Sequence, residues 1–321
     1  MTSIILEDTA LASGGHGRTG TPAGVDLRCS VGIMAYNEAE NIGRLLEAFL
    51  NQRLEHCSIE EIIVVASGCT DNTEEIVTGF CQSDVRVKLI SESKRNGKAA
   101  AINQFLSRAS FPIVVLASGD ILPSETAVEK MVSAFKDPQV GMVGGRPVPV
   151  NDPKVFMGFC ANLMWELHHH IALEHPKLGE MVAFRRIIDE IPKDTAVDEA
   201  CIESMIIRSG YRLRYIPDAI INNKGPTTVK DFLKQRRRIA AGHHHLKRTR
   251  NYHVSTTSGS RIIRLLFARR GWTVKTAIWA TAVIGLEIYG RALGAIDFYL
   301  RDKNPFVWEI AGSTKRLADK C

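Results

Sequence analysis

An apolar run that ends at a carboxylate is the first candidate for chemistry in this sequence. Residues 111–123 read FPIVVLASGDILP, and the run 113–117 has the length and β-branching of a strand buried on both faces. Asp120 therefore follows the C-terminal end of a strand, where open parallel sheets bind ligands. A carboxylate there can hold a metal ion or a sugar hydroxyl. Ser-Gly-Asp is also common turn chemistry, so this stretch alone leaves both interpretations open.

Polar residues after two other predicted strands have a similar position. Asn37 and Asp71 each precede a glutamate by three residues, so both are candidate helix caps. Glu38 in a first helical turn would complement the helix dipole. Because these residues also follow strand ends, they are candidates to line the same crevice as Asp120.

Three further groups lie in the second half of the chain. Asp198 and Glu199 open a helical run, and because adjacent helical side chains diverge by about 100°, we expect at most one of them to face a given cleft. The cationic group QRRR at 235–238 has a solvated helix face as its simpler interpretation. The histidine triplets at 168–170 and 243–245 cannot each converge on one ion from consecutive helical positions, so we interpret them as solvated or packed.

The hydrophobic pattern predicts the strands and helices that would position these residues. From residue 28 to 147, apolar runs alternate with segments of helical spacing, which predicts a wound α/β sheet. After residue 147 the pattern changes to a second half that does not repeat the first. The predicted strands are 29–34, 62–66, 85–90, 113–117, 140–143, 178–184 and 211–216, and the predicted helices are 39–51, 72–80, 97–108, 124–135, 156–171 and 228–247.

Composition limits the class of protein. With 321 residues, 45% of them hydrophobic, the chain can bury one large core or two smaller ones. Its seven cysteines are scattered without a C-x-x-C pair, which argues against a disulfide framework or zinc site and favours a reducing compartment. The apolar residues 4–6 run straight into two acids, too short a core for a secretory signal. We therefore expect a cytoplasmic protein.

The net charge of +6 is unevenly distributed. Residues 224–275 contain fourteen Lys and Arg and one acid, so this segment carries +13 and the rest of the chain −7. Such a surface can face nucleic acid, an anionic membrane or a phosphorylated substrate. The uncharged stretch 276–286 is shorter than the roughly 20 apolar residues of a spanning helix, so we expect it to be interfacial or packed on the domain. Aromatic residues nearby fit either location: Trp272, Trp279, Tyr289 and Trp308.

The order of these pieces resembles the family 2 glycosyltransferases, inverting enzymes with the A-type glycosyltransferase fold. No single motif is specific, but six in the same order are strong support, and they cover about residues 30–238. They are AYNEAENI at 35–42, SGCTDNT at 67–73, NGKAAAIN at 96–103, SGD at 118–120, DEACIE at 198–203 with GYRLRYIPDA from 210, and QRRRI at 235–239.

The resemblance implies roles for these residues. Glu38 and Asp71 would contact the base and ribose of a nucleotide sugar, and Asp120 would hold a divalent ion, Mn²⁺ or Mg²⁺, that bridges the two phosphates. Glu199, in a carboxylate pair with Asp198, would be the general base that deprotonates the acceptor hydroxyl. Other residues implied at the nucleotide sugar are Tyr36, Ser67, Lys98 and Ser118, and those implied at the diphosphate or acceptor are Gln235 and Arg238.

Departures from the family pattern matter. Ser118 replaces the first acid of D-x-D, and Ser67 replaces a second base-contacting Asp, so the resemblance leaves the nucleotide open between UDP and GDP. The pair Asp198-Glu199 reverses the commoner order. Ile239 stands where processive polysaccharide synthases have the Trp of Q-x-x-R-W, which argues against long-chain synthesis.

The sequence thus predicts an α/β protein with an A-type glycosyltransferase domain, a Rossmann-like wound sheet with a mixed second half, and C-terminal amphipathic helices. We expect a flexible tail at 1–25, a catalytic domain at 26–225 with a nucleotide half at 26–147 and an acceptor half at 148–225, and a basic helical region at 226–321. It would transfer one sugar to a lipid-linked or glycan acceptor at the anionic inner face of the membrane, without a nucleic-acid partner.

Two alternatives belong to other classes. A sugar-nucleotide pyrophosphorylase would have a similar sheet but needs a Gly-rich loop followed by Arg after its first strand, where this chain reads MAYNEAE at 34–40. A non-catalytic RNA-binding or scaffold protein would use the basic segment, but RNA binding favours aromatic residues interleaved with the arginines. Few aromatics lie between 224 and 275: Phe232, Tyr252, Phe267 and Trp272.

Overall fold

The computed structural model describes residues 27–252, 262, 264–266, 271–302, 306–307 and 312–314. The predicted tail at 1–25 and Trp308 lie outside these residues. The described chain forms eight strands in one sheet of order β3-β2-β1-β4-β7-β6-β8-β5. The strands are β1 Arg28–Ala35, β2 Ser58–Ser67, β3 Val87–Glu92, β4 Ile113–Ser118, β5 Leu122–Pro123, β6 Val140–Pro149, β7 Met181–Arg185 and β8 Arg212–Asn223.

The sheet is parallel in its first half and mixed in its second. Strands β3, β2, β1 and β4 pair in parallel, as their continuous apolar sequences predict. Strand β7 is antiparallel to both β4 and β6, whereas β6 and β8 pair in parallel. The carboxyl ends of β1, β2 and β4 therefore share one edge, so the loops after them can form a single site. This arrangement confirms the wound sheet with a mixed second half.

Eight α-helices have both ends within the described residues, and each predicted helix is present with shifted ends. The carboxylate pair opens α6, and the cationic group lies on α7, as expected. The helices are α1 Ile42–Leu50, α2 Thr73–Ser83, α3 Lys98–Leu106, α4 Ala127–Val132, α5 Phe156–Glu174, α6 Asp198–Arg208, α7 Val229–Arg250 and α8 Val274–Tyr299, with short 3₁₀ segments at Ser133–Lys136 and Gly312–Thr314.

Helices cover both faces of the sheet. One face packs on α1, α2 and α4 through residues such as Phe49 and Met131. The other packs on α3 and α6, where Phe105 and Ile202 are fully buried. A Cβ at Gly32 would lie 2.6 Å from the Phe105 ring, so the close approach of α3 to β1 requires glycine there. Because the strands are held from both sides, the loops at their ends stand on a rigid support.

The two C-terminal helices pack on α5 rather than standing apart. Trp279 of α8 makes edge contacts with Phe156 and Phe159 of α5, with ring centroids 5.7 and 5.6 Å apart. Helix α8 also lies close to α7, where a Cβ at Gly294 would meet the Arg237 carbonyl at 2.5 Å. Within the described residues, none of the helices has the length and apolar character needed to cross a membrane.

Candidate active site

One large cleft lies at the carboxyl edge of the parallel strands. Its volume is about 1260 Å³, more than the roughly 300–1,000 Å³ of a typical small-molecule site. Strand-end residues line one side, the start of α6 lines the middle, and α5, α7 and α8 form the far side. A cleft of this size can hold two substrates side by side. All predicted site residues except Asn37 and Asp71 line it.

Two loops at the edge of the cleft are tied together. The expected capping role of Asn37 is wrong, whereas Asp71 accepts a hydrogen bond from the Thr73 amide at the start of α2, at 3.1 Å. Helix α1 begins after Asn41 and α2 after Asn72, and neither of these two residues caps its helix with its own side chain. Asn37, with φ of 52°, instead accepts a hydrogen bond from the Thr70 amide at 2.8 Å. Asp71 accepts from the Ala39 amide at 3.1 Å and from the nearby Thr73 hydroxyl. A contact between loops thus replaces local capping at Asn37, whereas Asp71 makes both kinds of contact.

The strand-end wall combines an aromatic ring with a buried acid. The Arg95 guanidinium lies 4.2 Å from the centroid of the Tyr36 ring, which makes a flat cationic surface suited to a nucleobase and phosphate. Glu38 is only 5% exposed and accepts a hydrogen bond from the Asn41 side chain at 3.1 Å. The Ser67 hydroxyl donates to Glu92 at 2.6 Å, so its oxygen is already oriented by the next strand.

Asp120 is the carboxylate at the end of β4, and its surroundings suit a divalent ion held partly by substrate. A Cβ at Gly119 would lie 2.6 Å from the Glu38 side chain, so glycine lets Glu38 pack against the turn that leads into Asp120. In the described part of the chain, no three His, Cys, Asp or Glu residues form a cluster able to hold a metal alone. Mg²⁺ sites on diphosphate substrates use only one or two carboxylates plus phosphate oxygens and water. Asp120, beside Ser118, fits that pattern.

Lys98 joins the two acids that open α6. Its amine lies 2.8 Å from the carboxylates of both Asp198 and Glu199. Our expectation that at most one of the adjacent acids faces a given cleft is therefore wrong, since both line this cleft and the lysine side chain from α3 contacts both. The two are still different: the Asp198 side chain is 5% exposed and that of Glu199 is 23% exposed. Glu199 is the member that ligands can reach more easily.

The electrostatics of this pair separate the two acids further. Burial raises the pKa of Asp198, and the Glu199 charge raises it again. For Glu199, burial opposes ionisation, but the charge of Lys98 and its hydrogen bond lower the pKa on balance. Arg238 of α7 lies near both carboxylates, and burial lowers its own pKa. Glu199 is thus held as a carboxylate at neutral pH.

Gln235 and Arg238 line the cleft from α7, as the resemblance implied. The Gln235 side-chain oxygen accepts a long hydrogen bond from the Arg236 guanidinium, at 3.4 Å. The neighbouring Arg237 also lines the cleft, but its guanidinium is engaged in an ion pair with Asp297 of α8. The cationic group therefore divides its side chains between the cleft and the contact of α7 with α8.

Two acids that the sequence analysis did not assign are important here. Glu180 lies in the loop before β7, and burial, reinforced by the charges of Asp120 and Glu199, raises its pKa to about 7. Glu203 is fully buried on α6 and accepts hydrogen bonds from the Leu178 amide at 2.8 Å and the Tyr252 hydroxyl at 3.0 Å. The sequence could have pointed to Glu180 as a functional residue, because it is the one acid in the apolar run 178–184.

The histidines of α5 and α7 are packed rather than arranged around a metal. Burial lowers the pKa of His168 and of His243 to about 3, so both are neutral at pH 7. His169 contacts the Tyr215 hydroxyl at 3.0 Å. These contacts agree with our interpretation of the triplets.

The far side of the cleft is apolar, and part of it continues onto the surface. Met164 and Leu167 of α5 and Ile284 of α8 line the interior. On the outer face of α8, Ile278 and Ile288 are each 63% exposed. An amphiphilic ligand would find apolar surface both inside the cleft and beside it.

Comparison with known proteins agrees with this geometry. The sequence matches the family described as Glycosyl transferase family 2 over residues 30–191, and Glycosyl transferase family group 2 over residues 113–293. Among curated proteins, a poly-beta-1,6-N-acetyl-D-glucosamine synthase of Staphylococcus aureus is 26% identical over 225 residues, which are 66% of this chain and 53% of that protein. Glycosyltransferase AglE of Haloferax volcanii is 34% identical over 116 residues, covering 36% of this chain and 38% of that protein.

The chain thus spans about half the length of the staphylococcal synthase that it matches. Among solved structures, a mannosyltransferase of Pyrobaculum calidifontis in complex with GDP-Man and Mn²⁺ superposes with a TM-score of 0.53 at 23% identity. That comparison covers 85% of this chain and 84% of the other. It supports the A-type glycosyltransferase fold.

Proposed function

The chain belongs to glycosyl transferase family 2, and we propose that it transfers one sugar from a nucleotide sugar to a lipid-linked or membrane-presented acceptor with inversion at the anomeric carbon. One observation carries the proposal. A single cleft brings together Asp120 at a strand end, the Lys98-bridged carboxylate Glu199, and an apolar wall from three helices. In that order they would provide a binding place for the diphosphate, a general base, and an apolar surface for a hydrophobic acceptor.

The strand-end side would hold the donor. The Tyr36 ring under Arg95 offers a stacking surface for the base, and Glu38 lies beside Gly119 at the turn into Asp120. Asp120 would hold Mn²⁺ or Mg²⁺, which when bound supplies positive charge for the leaving diphosphate. Asp71 contributes indirectly, since it ties the loops that carry these residues.

Glu199 would be the general base. Its carboxylate accepts the proton of the acceptor hydroxyl as that oxygen attacks the anomeric carbon and the bond to the diphosphate breaks. The lowered pKa of Glu199 keeps it ionised, although a base of low pKa accepts a proton less readily. Approach of an acceptor can draw Lys98 toward Asp198, which contacts the same amine at 2.8 Å. Gln235 and Arg238 face the acceptor or the departing diphosphate from α7.

The C-terminal helices support a membrane-presented acceptor. The basic segment 224–275 carries +13, and exposed apolar side chains of α8, among them Ile278 and Ile288, follow it in the chain. Positive charge next to exposed apolar surface is the pattern of a protein that docks on an anionic membrane. Such docking would place the apolar side of the cleft near the lipid and the enzyme at the inner face of the membrane.

A two-step assay tests the proposal. First, thermal stability is measured with UDP, GDP, UDP-glucose, UDP-N-acetylglucosamine and GDP-mannose, each with and without Mn²⁺ or Mg²⁺, because a ligand of the native state raises its stability. We expect metal-dependent stabilisation by one nucleotide series. Second, the donor found is incubated with polyprenyl-phosphate-linked and free glycan acceptors, and the anomeric configuration of the product is read by NMR. Retained configuration, or transfer to free glycans only, would contradict the corresponding part of the proposal.

A further inference from the structure

The loop before β7 holds Glu180 in an unfavourable backbone conformation. Its φ is 61°, in the left-handed region that residues other than glycine seldom adopt. The Met181 amide donates to the Gly179 carbonyl at 2.8 Å, which closes a three-residue turn centred on Glu180. Strain of this kind persists only where the surrounding structure imposes it, and it concentrates at functional sites.

The contacts around the loop before β7 impose this backbone conformation on Glu180. The Leu178 amide donates to the buried Glu203 carboxylate, and the Lys177 amine contacts the same carboxylate at 3.1 Å. Glu203 lies on α6, the helix whose first turn carries Asp198 and Glu199. On the other side the loop leads directly into β7 in the centre of the sheet. The carboxyl of Glu180 is thus positioned by the same helix as the carboxylate pair.

The Glu180 side chain lines the cleft between two groups with separate functions. It lies within electrostatic range of Asp120 on the diphosphate side and of Glu199 on the acceptor side. The transferred sugar of a bound donor must occupy the space between a diphosphate and a general base, because its anomeric carbon is bonded to one and attacked beside the other. Glu180 therefore faces the position of the sugar ring.

A neighbouring amide strengthens this placement. Asn223, at the end of β8, is 4% exposed, lines the cleft and hydrogen-bonds the Glu180 side chain. Its Oδ1 accepts no hydrogen bond from the described part of the chain. A buried acceptor without a donor is costly unless a ligand supplies one. Two oxygen acceptors side by side suit a ligand that is rich in hydroxyl groups.

We propose that Glu180, supported by Asn223, binds hydroxyl groups of the transferred sugar and so determines which nucleotide sugar the protein accepts. The inference rests on the proposed function. It assigns Glu180 to the sugar alone, so the nucleoside diphosphate and its metal should bind without it. It also explains why the chain retains a strained glutamate where a glycine would relieve the backbone.

Calorimetry in the presence of Mn²⁺ tests the proposal. It measures the binding of UDP and GDP, of the preferred nucleotide sugar, and of that sugar's single-deoxy analogues. The variants are Glu180→Gly, Glu180→Gln and, as a matched control, Glu190→Gln, which changes an exposed acid in the segment after β7. We expect Glu180→Gly to be at least as thermostable as the wild type, because its backbone strain is relieved. It should bind the nucleoside diphosphate within about twofold of wild type and the nucleotide sugar about 10- to 100-fold more weakly.

The deoxy analogues make the assignment specific. One of them should bind the wild type about 10-fold or more weakly than the parent sugar, and that difference should vanish in Glu180→Gly. Equal loss of nucleoside diphosphate and sugar binding would instead assign Glu180 to the metal or diphosphate and overturn the inference. Unchanged sugar discrimination would show a purely structural role and also overturn it. If the wild type binds no nucleotide sugar, the proposed function fails and this inference fails with it.

Discussion

The amine of Lys98 donates to the carboxylate of Glu199 across 2.8 Å, although 101 positions separate the two residues in the chain. Lys98 opens α3 and Glu199 lies in the first turn of α6, so the contact joins two helices that are far apart in the chain. The same amine contacts Asp198. One cation thus balances two carboxylates, and the pKa values of the two shift in opposite directions, down for Glu199 and up for Asp198. The first two predictions follow from this arrangement.

Neutral replacement should distinguish the two acids. Glu199→Gln should retain donor binding and lose transfer by roughly 10²- to 10⁴-fold, the usual contribution of a general base. Asp198→Asn should lose much less, because its side chain is the more deeply buried of the two. Single-turnover transfer at saturating donor measures both. If Asp198→Asn is the inactive variant, the base has been assigned one residue too late, and if both remain active the base lies elsewhere.

The pH dependence of transfer should depend on Lys98. Activity requires the Glu199 carboxylate, whose pKa is held below its ordinary value of 4.5, so wild-type activity should fall only below about that pH. Lys98→Met leaves two carboxylates without their shared cation, which raises the pKa of Glu199. The acid limb of the rate profile should then move to higher pH.

The control for this prediction is Lys94→Met, an exposed lysine in the segment before α3. Rates measured from about pH 4 to about pH 8 should show the wild-type profile for this variant. An unmoved acid limb in Lys98→Met would argue against Glu199 as the titrating group.

Particular residues show how far the sequence predicts this structure. Strands such as β4 were predictable because five consecutive apolar residues can only be buried. The cap at Asn37 was mispredicted because local spacing gives no sign of contacts made by residues more than 30 positions away, such as Asn37 with Thr70. Glu203 shows the same limit. Its burial depends on Lys177 and Tyr252, which the fold alone brings to it.

Removal of the Asp120 carboxylate should abolish metal-dependent donor binding. Asp120→Asn keeps the shape of the side chain but loses the charge that attracts Mn²⁺ or Mg²⁺, so the stabilisation gained on adding metal to the nucleotide should disappear. Melting temperature without ligand should change little, since Asp120 is partly exposed at a strand end. Glu125→Gln, an exposed acid nearby, is the control. Unchanged Mn²⁺-dependent stabilisation in Asp120→Asn would contradict the assignment.

Membrane docking should require both charge and apolar surface. Each Lys or Arg near an anionic surface contributes on the order of 1 kcal/mol, so co-sedimentation with anionic vesicles should weaken as salt increases. Replacing Ile278 and Ile288 of α8 with Ser should weaken it further. Val85→Ser, which changes a side chain 92% exposed outside the C-terminal helices, should have no effect. Equal binding to neutral vesicles, or none by the native protein, would contradict docking through the basic segment.

Glu203 should be a positioning residue whose loss affects stability and catalysis together. Its fully buried carboxylate contacts Lys177 at 3.1 Å, the Leu178 amide at 2.8 Å and the Tyr252 hydroxyl at 3.0 Å. Glu203→Gln leaves the Lys177 charge without its partner, and breaking a buried pair costs about 3–5 kcal/mol of unfolding free energy. Tyr252→Phe removes one hydrogen bond and should cost about 1–3 kcal/mol. Denaturant unfolding measures both. Because Glu203 holds the loop of Glu180 against α6, Glu203→Gln should also raise KM for the donor, whereas a residue that only stabilises the fold would leave the KM of the folded fraction unchanged.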